Sequence, residues 1–326
     1  MEDPIKSLSK YLRASVLKVE KEIAGNIKDE EKLITSTSGH LINADGKKLR
    51  PLLTLLISRM LKYRGNAHII LAVCIEFIHN ATLLHDDVID TGKVRRGKMS
   101  ANEIWGNKIS VLVGDYLLSK AFKLMVKNKS IKLLEILSQT SIILARGQIQ
   151  DVGNSQNLNL TEKKYLSIIN AKTAELFRIS CFLPTVITNQ NKNVQKAFNN
   201  FGYNFGMAFQ LSDDILDYFG ESKKMGKTIG KDFFEGKITY PIIHCYKNSD
   251  NNSKKLLMKL FLKTKRTRKD LSQVLKLMDK TDTYKKSLVF LSKYTNQARK
   301  DIIKFEGNKD TVYLKKLVDH LIIRDK

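Results

Sequence analysis

Proline is scarce in this chain: four residues, Pro4, Pro51, Pro184 and Pro241, in 326. No stretch is rich in Gly, Ser or Pro, so nothing reads as an interdomain linker or a low-complexity tract. The expectation is one domain spanning 1–326, long enough to bury a substantial core. Cysteine is rarer still. Cys74, Cys181 and Cys245 are isolated and odd in number, which argues against a disulfide framework or a zinc site and fits a reducing compartment. The first residues, Met1-Glu2-Asp3-Pro4, lack the apolar core of a secretory signal. No uninterrupted apolar run approaches the roughly 18 residues of a membrane span. A cytoplasmic protein is expected.

Acidic residues are few against basic ones, 33 to 57, for a net charge of +24. Only 12 of the 57 cations are arginine, and the 45 lysines are spread along the whole chain. Nucleic-acid readers favour arginine forks and interleaved aromatics. The densest basic run, Lys263 to Lys269, holds no aromatic. No nucleic-acid partner is expected. That run reads as a solvated helix start, with weak peripheral contact to anionic lipid as the alternative.

Period-two alternation is absent too. Apolar residues recur at three- and four-residue steps through 5–24, 28–42, 51–63, 66–86, 107–127, 130–151, 161–182, 193–217, 240–247, 252–262, 267–280, 283–304 and 309–323. The chain is all-α. Asp45-Gly46 stops one helix and Pro51 suits the first helical position of the next.

What is present in duplicate is an acidic template. Asp86-Asp87-Val88-Ile89-Asp90 and Asp213-Asp214-Ile215-Leu216-Asp217 both read D-D-x-x-D and both end long apolar runs. On a helix the first and last members share one face. Like charges at that spacing repel by about a few tenths of a kcal/mol, and aspartate is a poor helix former. Carboxylates without imidazole partners suit a hard divalent ion such as magnesium, and the spacing excludes an EF-hand.

Each cluster is followed by a glycine-studded loop carrying cations. Lys93-Val94-Arg95-Arg96-Gly97 follows the first, and Lys227, Lys231 and Lys237 follow the second. Metal-holding carboxylates beside cations describe a site for metal-bound diphosphate. A third basic element, Gly46-Lys47-Lys48-Leu49-Arg50-Pro51, offers an anion site without metal, and His79, two helical turns before Asp86, faces roughly the same side.

These residues resemble the trans-type polyprenyl diphosphate synthases. Leu83 to Asp90 with Arg95-Arg96-Gly97 is similar to the family's first aspartate-rich motif, and Gln210 to Asp217 to its second. Gly46 to Pro51 resembles its isopentenyl diphosphate motif, Ala171-Lys172-Thr173-Ala174 its K-T segment, and Glu235-Gly236-Lys237-Ile238-Thr239-Tyr240-Pro241 its E-G-K-x-T-x-P loop. The closing Ile322 to Lys326 is similar to the ends of long-chain bacterial members. The resemblance implies the isoprenoid synthase fold around a deep central cavity, a homodimer, and about three Mg2+ per site bound with diphosphate. It implies that Asp86, Asp87, Asp90, Asp213, Asp214 and Asp217 hold metal. Arg95, Lys172, Thr173, Gln210, Lys227 and Lys237 would contact the allylic diphosphate, and Lys47, Arg50, His79 and Arg96 that of isopentenyl diphosphate.

Ile78, Ala81 and Thr82 lie one and two turns below Asp86 on the same face. Small residues at 81 and 82 leave room for a growing chain. A long-chain product, such as the tail of ubiquinone or another respiratory quinone, is expected, with a medium-chain geranylgeranyl product as the alternative. The chain departs from the family at Gly147-Gln148 and Asp151, where Gly-Glu and then Gln are usual, and at Lys231 and Tyr240.

Overall fold

The structure, a computed structural model, describes residues 3–28, 30–42, 46–220 and 229–323. Lys227, expected at the allylic diphosphate, lies outside the described residues.

Helices carry nearly all of the described chain: α1 Pro4–Tyr11, α2 Arg13–Ile27, α3 Lys32–Ile42, α4 Leu49–Met60, α5 Ala67–Ile89, α6 Ala101–Lys127, α7 Ile131–Gly153, α8 Glu162–Ile169, α9 Glu175–Ile187, α10 Lys192–Phe219, α11 Lys231–Glu235, α12 Tyr240–Asn248, α13 Asn251–Phe261, α14 Arg268–Lys280, α15 Thr283–Ile302 and α16 Thr311–Ile323. A π-turn, Asn170–Ala174, joins α8 to α9. One small hairpin stands among the described residues, β1 Val94–Arg95 against β2 Lys98–Met99. Its two-residue connection, Arg96-Gly97, has φ of 52° and 74°, the left-handed pair that a tight hairpin turn requires.

The fold sorts into two compact units, each assembled from separate stretches of chain. One comprises Met1–Ile142, Leu176–Asn199 and Lys304–Leu314, and the other Ile143–Glu175, Asn200–Ile303 and Lys315–Lys326.

In the first unit α5 is the central element. Its only charged residue before the acidic cluster is Glu76, and Ile69, Leu71–Ile78 and Ala81 are buried. By length and composition α5 could cross a membrane, more than the sequence reading anticipated, but most of it is buried in this fold. It packs on α2, α4 and α6. Cys74 Sγ meets the Ala121 carbonyl at 3.6 Å, and His85 Nε2 meets that of Val111 at 3.2 Å, so α5 and α6 are antiparallel. Gly114 makes that approach possible, because a Cβ there would lie 2.3 Å from His85 Nε2. α4 begins at Leu49, two residues before Pro51, which places Arg50 in its first turn. Pro184 inside α9 has no N–H to give to the Ser180 carbonyl. Thr54 Oγ1 donates to that carbonyl instead, at 3.0 Å.

In the second unit α10 carries the second cluster. Phe201, Phe205, Leu211 and Ile215 are buried along it, and Phe233 and Phe261 pack edge to face at 5.2 Å between centroids. The basic run 263–269, expected as a helix start, is mostly the loop that leads into α14, with Arg268 and Lys269 in the first turn of that helix. Thr267 and Asp270 form a capping box on α14, and Lys263 closes on Asp270 at 2.6 Å.

Candidate active site

The first cluster sits at the C-terminal end of α5, with Asp90 as its C-cap. Asp86 and Asp90 are half-buried and Asp87 is buried. Arg95 grips Asp87 from the hairpin: Nε stands 2.7 and 2.9 Å from the two carboxylate oxygens and Nη2 2.6 Å from Oδ1. The carboxylate that reads as a third metal ligand is thus turned inward to hold a guanidinium.

Around it lies a cationic cradle. Arg50 Nη1 is 3.3 Å from His79 Nε2, and the Arg50 guanidinium lies 4.2 Å over the Phe177 ring. A Cβ on Gly46 would meet the Arg96 guanidinium at 2.3 Å, so glycine there lets the Lys47 loop and the hairpin come together. Arg96 Nη1 also reaches the Leu41 carbonyl at 3.4 Å. Burial holds His79 well below the usual imidazole range, and Arg50, Arg96 and Arg95 press it the same way. Three guanidinium groups around a neutral imidazole, with Glu76 and Asp87 as the nearby acids, form a cradle suited to an anion. The structure therefore brings Arg50, His79 and Arg96 together, with Lys47 on the adjoining loop at 3.7 Å from Asp3.

The second cluster repeats the plan with different partners. Asp213 and Asp217 are half-buried and Asp214 is buried. Tyr165 donates to Asp214 Oδ2 at 2.5 Å and Gln210 Nε2 to Oδ1 at 2.8 Å, while Thr173 donates to Gln210 Oε1 at 2.7 Å. Asp217 accepts from the backbone N–H of Lys231 and Asp232, at 3.1 and 2.9 Å, and so caps the first turn of α11. Lys237 pairs with Glu235 at 2.8 Å, and Lys172 with Asp151 at 2.7 Å. Lys172 and Thr173 come from the π-turn, a geometry that recurs at functional sites. Gly147 lets α7 approach that turn, for a Cβ would sit 2.8 Å from the Lys172 backbone nitrogen. Beside it the Gln148 amide has both polar atoms buried and unpartnered, a demand that water or ligand must meet.

Burial pushes the Asp214 carboxyl up to about 7 against its hydrogen bonds from Tyr165 and Gln210, with repulsion from Asp213 and Asp217 added. Asp232 is driven well above the carboxylate range, by burial first and then by Asp217 and Asp214. Such crowding is relieved by a cation, and all-oxygen donors suit magnesium. Among the described residues no three acidic, His or Cys side chains form a closed ligand group. Magnesium keeps several waters and takes phosphate oxygens as ligands, so partial sets of this kind fit it. Ile78 and Ala81 are buried on α5, and half-buried Thr82 donates to the His79 carbonyl at 2.8 Å.

Sequence reasoning missed Tyr165, Glu76 and Asp232. Asp232 stands beside Lys231 in the E-G-K loop region and carried a signal, an acid inside a basic stretch. Tyr165 carried none, since its hydroxyl is matched to Asp214 by folding alone.

The polyprenyl synthetase family model matches residues 31–278. The chain is 32% identical to the octaprenyl diphosphate synthase of Haemophilus influenzae over 315 residues, 96% of this chain and 94% of that one. The crystal structure of a decaprenyl diphosphate synthase from Rhodobacter capsulatus superposes with a TM-score of 0.94 at 36% identity, covering 99% of both chains. A polyprenyl synthase from Caulobacter crescentus, complexed with calcium and isoprenyl diphosphate, gives 0.93 at 35% identity, covering 99% of this chain and 98% of that one. With the duplicated clusters and their cation loops in place, this chain belongs to the polyprenyl synthetase family, as a trans-type prenyltransferase with the all-α isoprenoid synthase fold and with long-chain synthases among its relatives.

Proposed function

We propose that the protein is a magnesium-dependent synthase that extends farnesyl diphosphate by successive head-to-tail condensation with isopentenyl diphosphate. The product is a long all-trans polyprenyl diphosphate, of the kind that becomes a respiratory quinone tail. The observation that carries this reading is the shared plan of the two clusters, a buried inner aspartate locked by side-chain donors and two half-buried outer aspartates on the same helix end.

In this reading Asp86 and Asp90 on one cluster, and Asp213 and Asp217 on the other, hold magnesium. Asp87 and Asp214 position Arg95 and the Tyr165–Gln210 pair. Bound magnesium neutralises diphosphate and improves it as a leaving group. Arg95, Lys172, Thr173, Gln210, Lys227 and Lys237 are assigned to the allylic diphosphate, where cationic and hydrogen-bonding groups would favour opening of the C–O bond to a delocalised carbocation. Lys47, Arg50, His79 and Arg96 hold the second diphosphate, aiming its double bond at that carbon. Loss of a proton completes the new unit, the departing diphosphate being the nearest base. Small side chains at Ala81 and Thr82 leave the product room to lengthen. A homodimer accords with exposed Ile104, Val111 and Leu112 on α6, which a second copy would cover. The setting is cytoplasmic.

Condensation of labelled isopentenyl diphosphate with farnesyl diphosphate, with products resolved by length, tests the reading. Long products that vanish on chelation support it. A short ladder overturns the chain-length assignment alone, and no product from any allylic primer overturns the enzyme reading. Ala81→Tyr should shorten the ladder while condensation continues, and an unchanged ladder would show that growth follows another face.

A further inference from the structure

The turn joining α6 to α7 carries an unusual surface. Ile131 is 84% exposed, the highest of the exposed large apolar side chains among the described residues, and Val126 is 62% exposed. Lys123, Lys127, Lys129 and Lys132 are exposed around them. No acidic residue occurs between Asp115 and Glu135. The turn is ordered. Asn128 N–H donates to the Met125 carbonyl and Lys129 N–H to that of Val126, at 3.1 and 3.0 Å, with Lys129 at φ 52°. Single exposed apolar residues are ordinary. Two of them on a hydrogen-bonded turn among four lysines, against the two acids Glu30 near Lys123 and Glu135 one turn beyond Ile131, form the pattern of a surface that inserts shallowly into an anionic interface.

Its position strengthens the case. Because α5 and α6 are antiparallel, with Cys74 beside Ala121 and His85 beside Val111, the turn lies at the end of the first unit remote from Asp86 and Asp90. Nineteen residues of α5 separate Asp86 from Ala67, about 28 Å of helix. The other basic run also sets exposed Leu262 beside exposed Lys265, Arg268 and Lys269, but two of its cations are committed, Lys263 to Asp270 and Arg266 to the carbonyls of Phe234 and Phe261.

We propose that the 123–132 turn docks the protein on anionic bilayers, with Val126 and Ile131 entering the headgroup region and the four lysines meeting lipid phosphates. The proposal rests on the reading that the product is a long polyprenyl diphosphate. Such a tail has no stable place in water, so an enzyme that rests its remote end on lipid can hand the product over.

The test is co-sedimentation of the full chain, without substrate, with phosphatidylcholine vesicles lacking or containing phosphatidylglycerol. Wild type should partition onto the anionic vesicles. Lys127→Gln/Lys129→Gln/Lys132→Gln should weaken partitioning about fivefold per lysine removed. The charge-matched control Lys276→Gln/Lys280→Gln/Lys285→Gln, on exposed positions of α14 and α15, should retain nearly all of it. Ile131→Ser should lower the binding that survives at high salt, where charge is screened. Equal loss from both lysine sets would assign the attraction to diffuse net charge and overturn the proposal. So would binding indifferent to Ile131→Ser, or a change of oligomeric mass in the turn variants, which would mark a subunit contact. Condensation in detergent should be unchanged in every variant. Its absence in wild type would sink the synthase reading and leave the vesicle result standing by itself.

Discussion

The two acidic clusters share a spelling but are held by different chemistry. In the first unit the inner carboxylate, Asp87, is neutralised by a cation, Arg95, which comes from a hairpin loop eight residues away. In the second, the donors to Asp214 among the described residues are the neutral Tyr165 and Gln210, and Asp213 and Asp217 crowd it. The inner carboxylate of the first cluster is therefore neutralised by its own arginine, with the Arg50 and Arg96 guanidiniums near His79 on the same helix. The inner carboxylate of the second is instead raised by burial and by its acidic neighbours, a crowding that a cation would relieve. One motif on two helices thus differs in what holds its inner carboxylate, an arginine in the first unit and neutral donors in the second.

Removing an outer aspartate tests the shared part of the plan. Asp86→Ala and Asp213→Ala should each lower turnover at least about 10³-fold, because metal-held charge stabilisation is worth several kcal/mol. Circular dichroism should show the helical content retained, and residual turnover near wild type would remove the metal assignment. The inner positions test the difference. Asp87→Asn leaves the Arg95 charge without its counterion. A fully buried pair would cost about 3–5 kcal/mol to break, but the Arg95 side chain is 27% exposed, so about 2 kcal/mol is expected. Tyr165→Phe deletes one neutral hydrogen bond and should cost about 1 kcal/mol. Denaturant unfolding of both variants reads the contrast, and equal losses would erase it.

Two glycines extend the comparison to backbone approach. A Cβ at Gly147 meets the backbone of Lys172, which cannot yield, whereas one at Gly46 meets the far end of the Arg96 side chain, which can. Gly147→Ala should cost about 1–3 kcal/mol of stability through overpacking. Gly46→Ala should leave stability within about 0.5 kcal/mol and raise KM for isopentenyl diphosphate more than for the allylic substrate. A stability loss at Gly46 matching that at Gly147 would show that the cradle is rigid.

The all-α class and the position of both aspartate clusters toward helix ends are legible because helical periodicity and the D-D-x-x-D spacing are local signals. What escaped was non-local or depended on a few residues. The break at Leu12 between α1 and α2, and the π-turn inside the apparently continuous run 161–182, leave no periodic trace. The hairpin at 94–99 was hidden because two residues per strand are too few to alternate. The inward turn of Asp87 and Asp214 could not be read from spacing, since the second member of each triplet is identical in type to its neighbours. Only the partners brought by folding, Arg95 on one side and Tyr165 and Gln210 on the other, separate the inner aspartates from the outer ones.

The cationic character of the first unit also makes a prediction about pH. His79 is held well below its ordinary value by burial and by Arg50, Arg96 and Arg95. Its unfolded form, with a pKa near 6.5, takes up a proton on acidification that the folded form refuses. The stability it contributes is full above about pH 6.5 and is lost as pH falls below that value, by up to about 1.4 kcal/mol per pH unit. His68 and His244 are lowered in the same direction, also chiefly by burial, and add to the slope. Asp214, pushed up to about 7, and Asp232 work in the opposite sense, because their folded carboxyls take up protons that the unfolded chain refuses. The measurement is therefore a difference: between pH 7 and 5.5 the melting temperature of the metal-free wild type should decline relative to that of His79→Gln. An equal pH dependence in His79→Gln would mean that His79 already carries its proton in the fold, and that the cradle tolerates four cations without a bound anion.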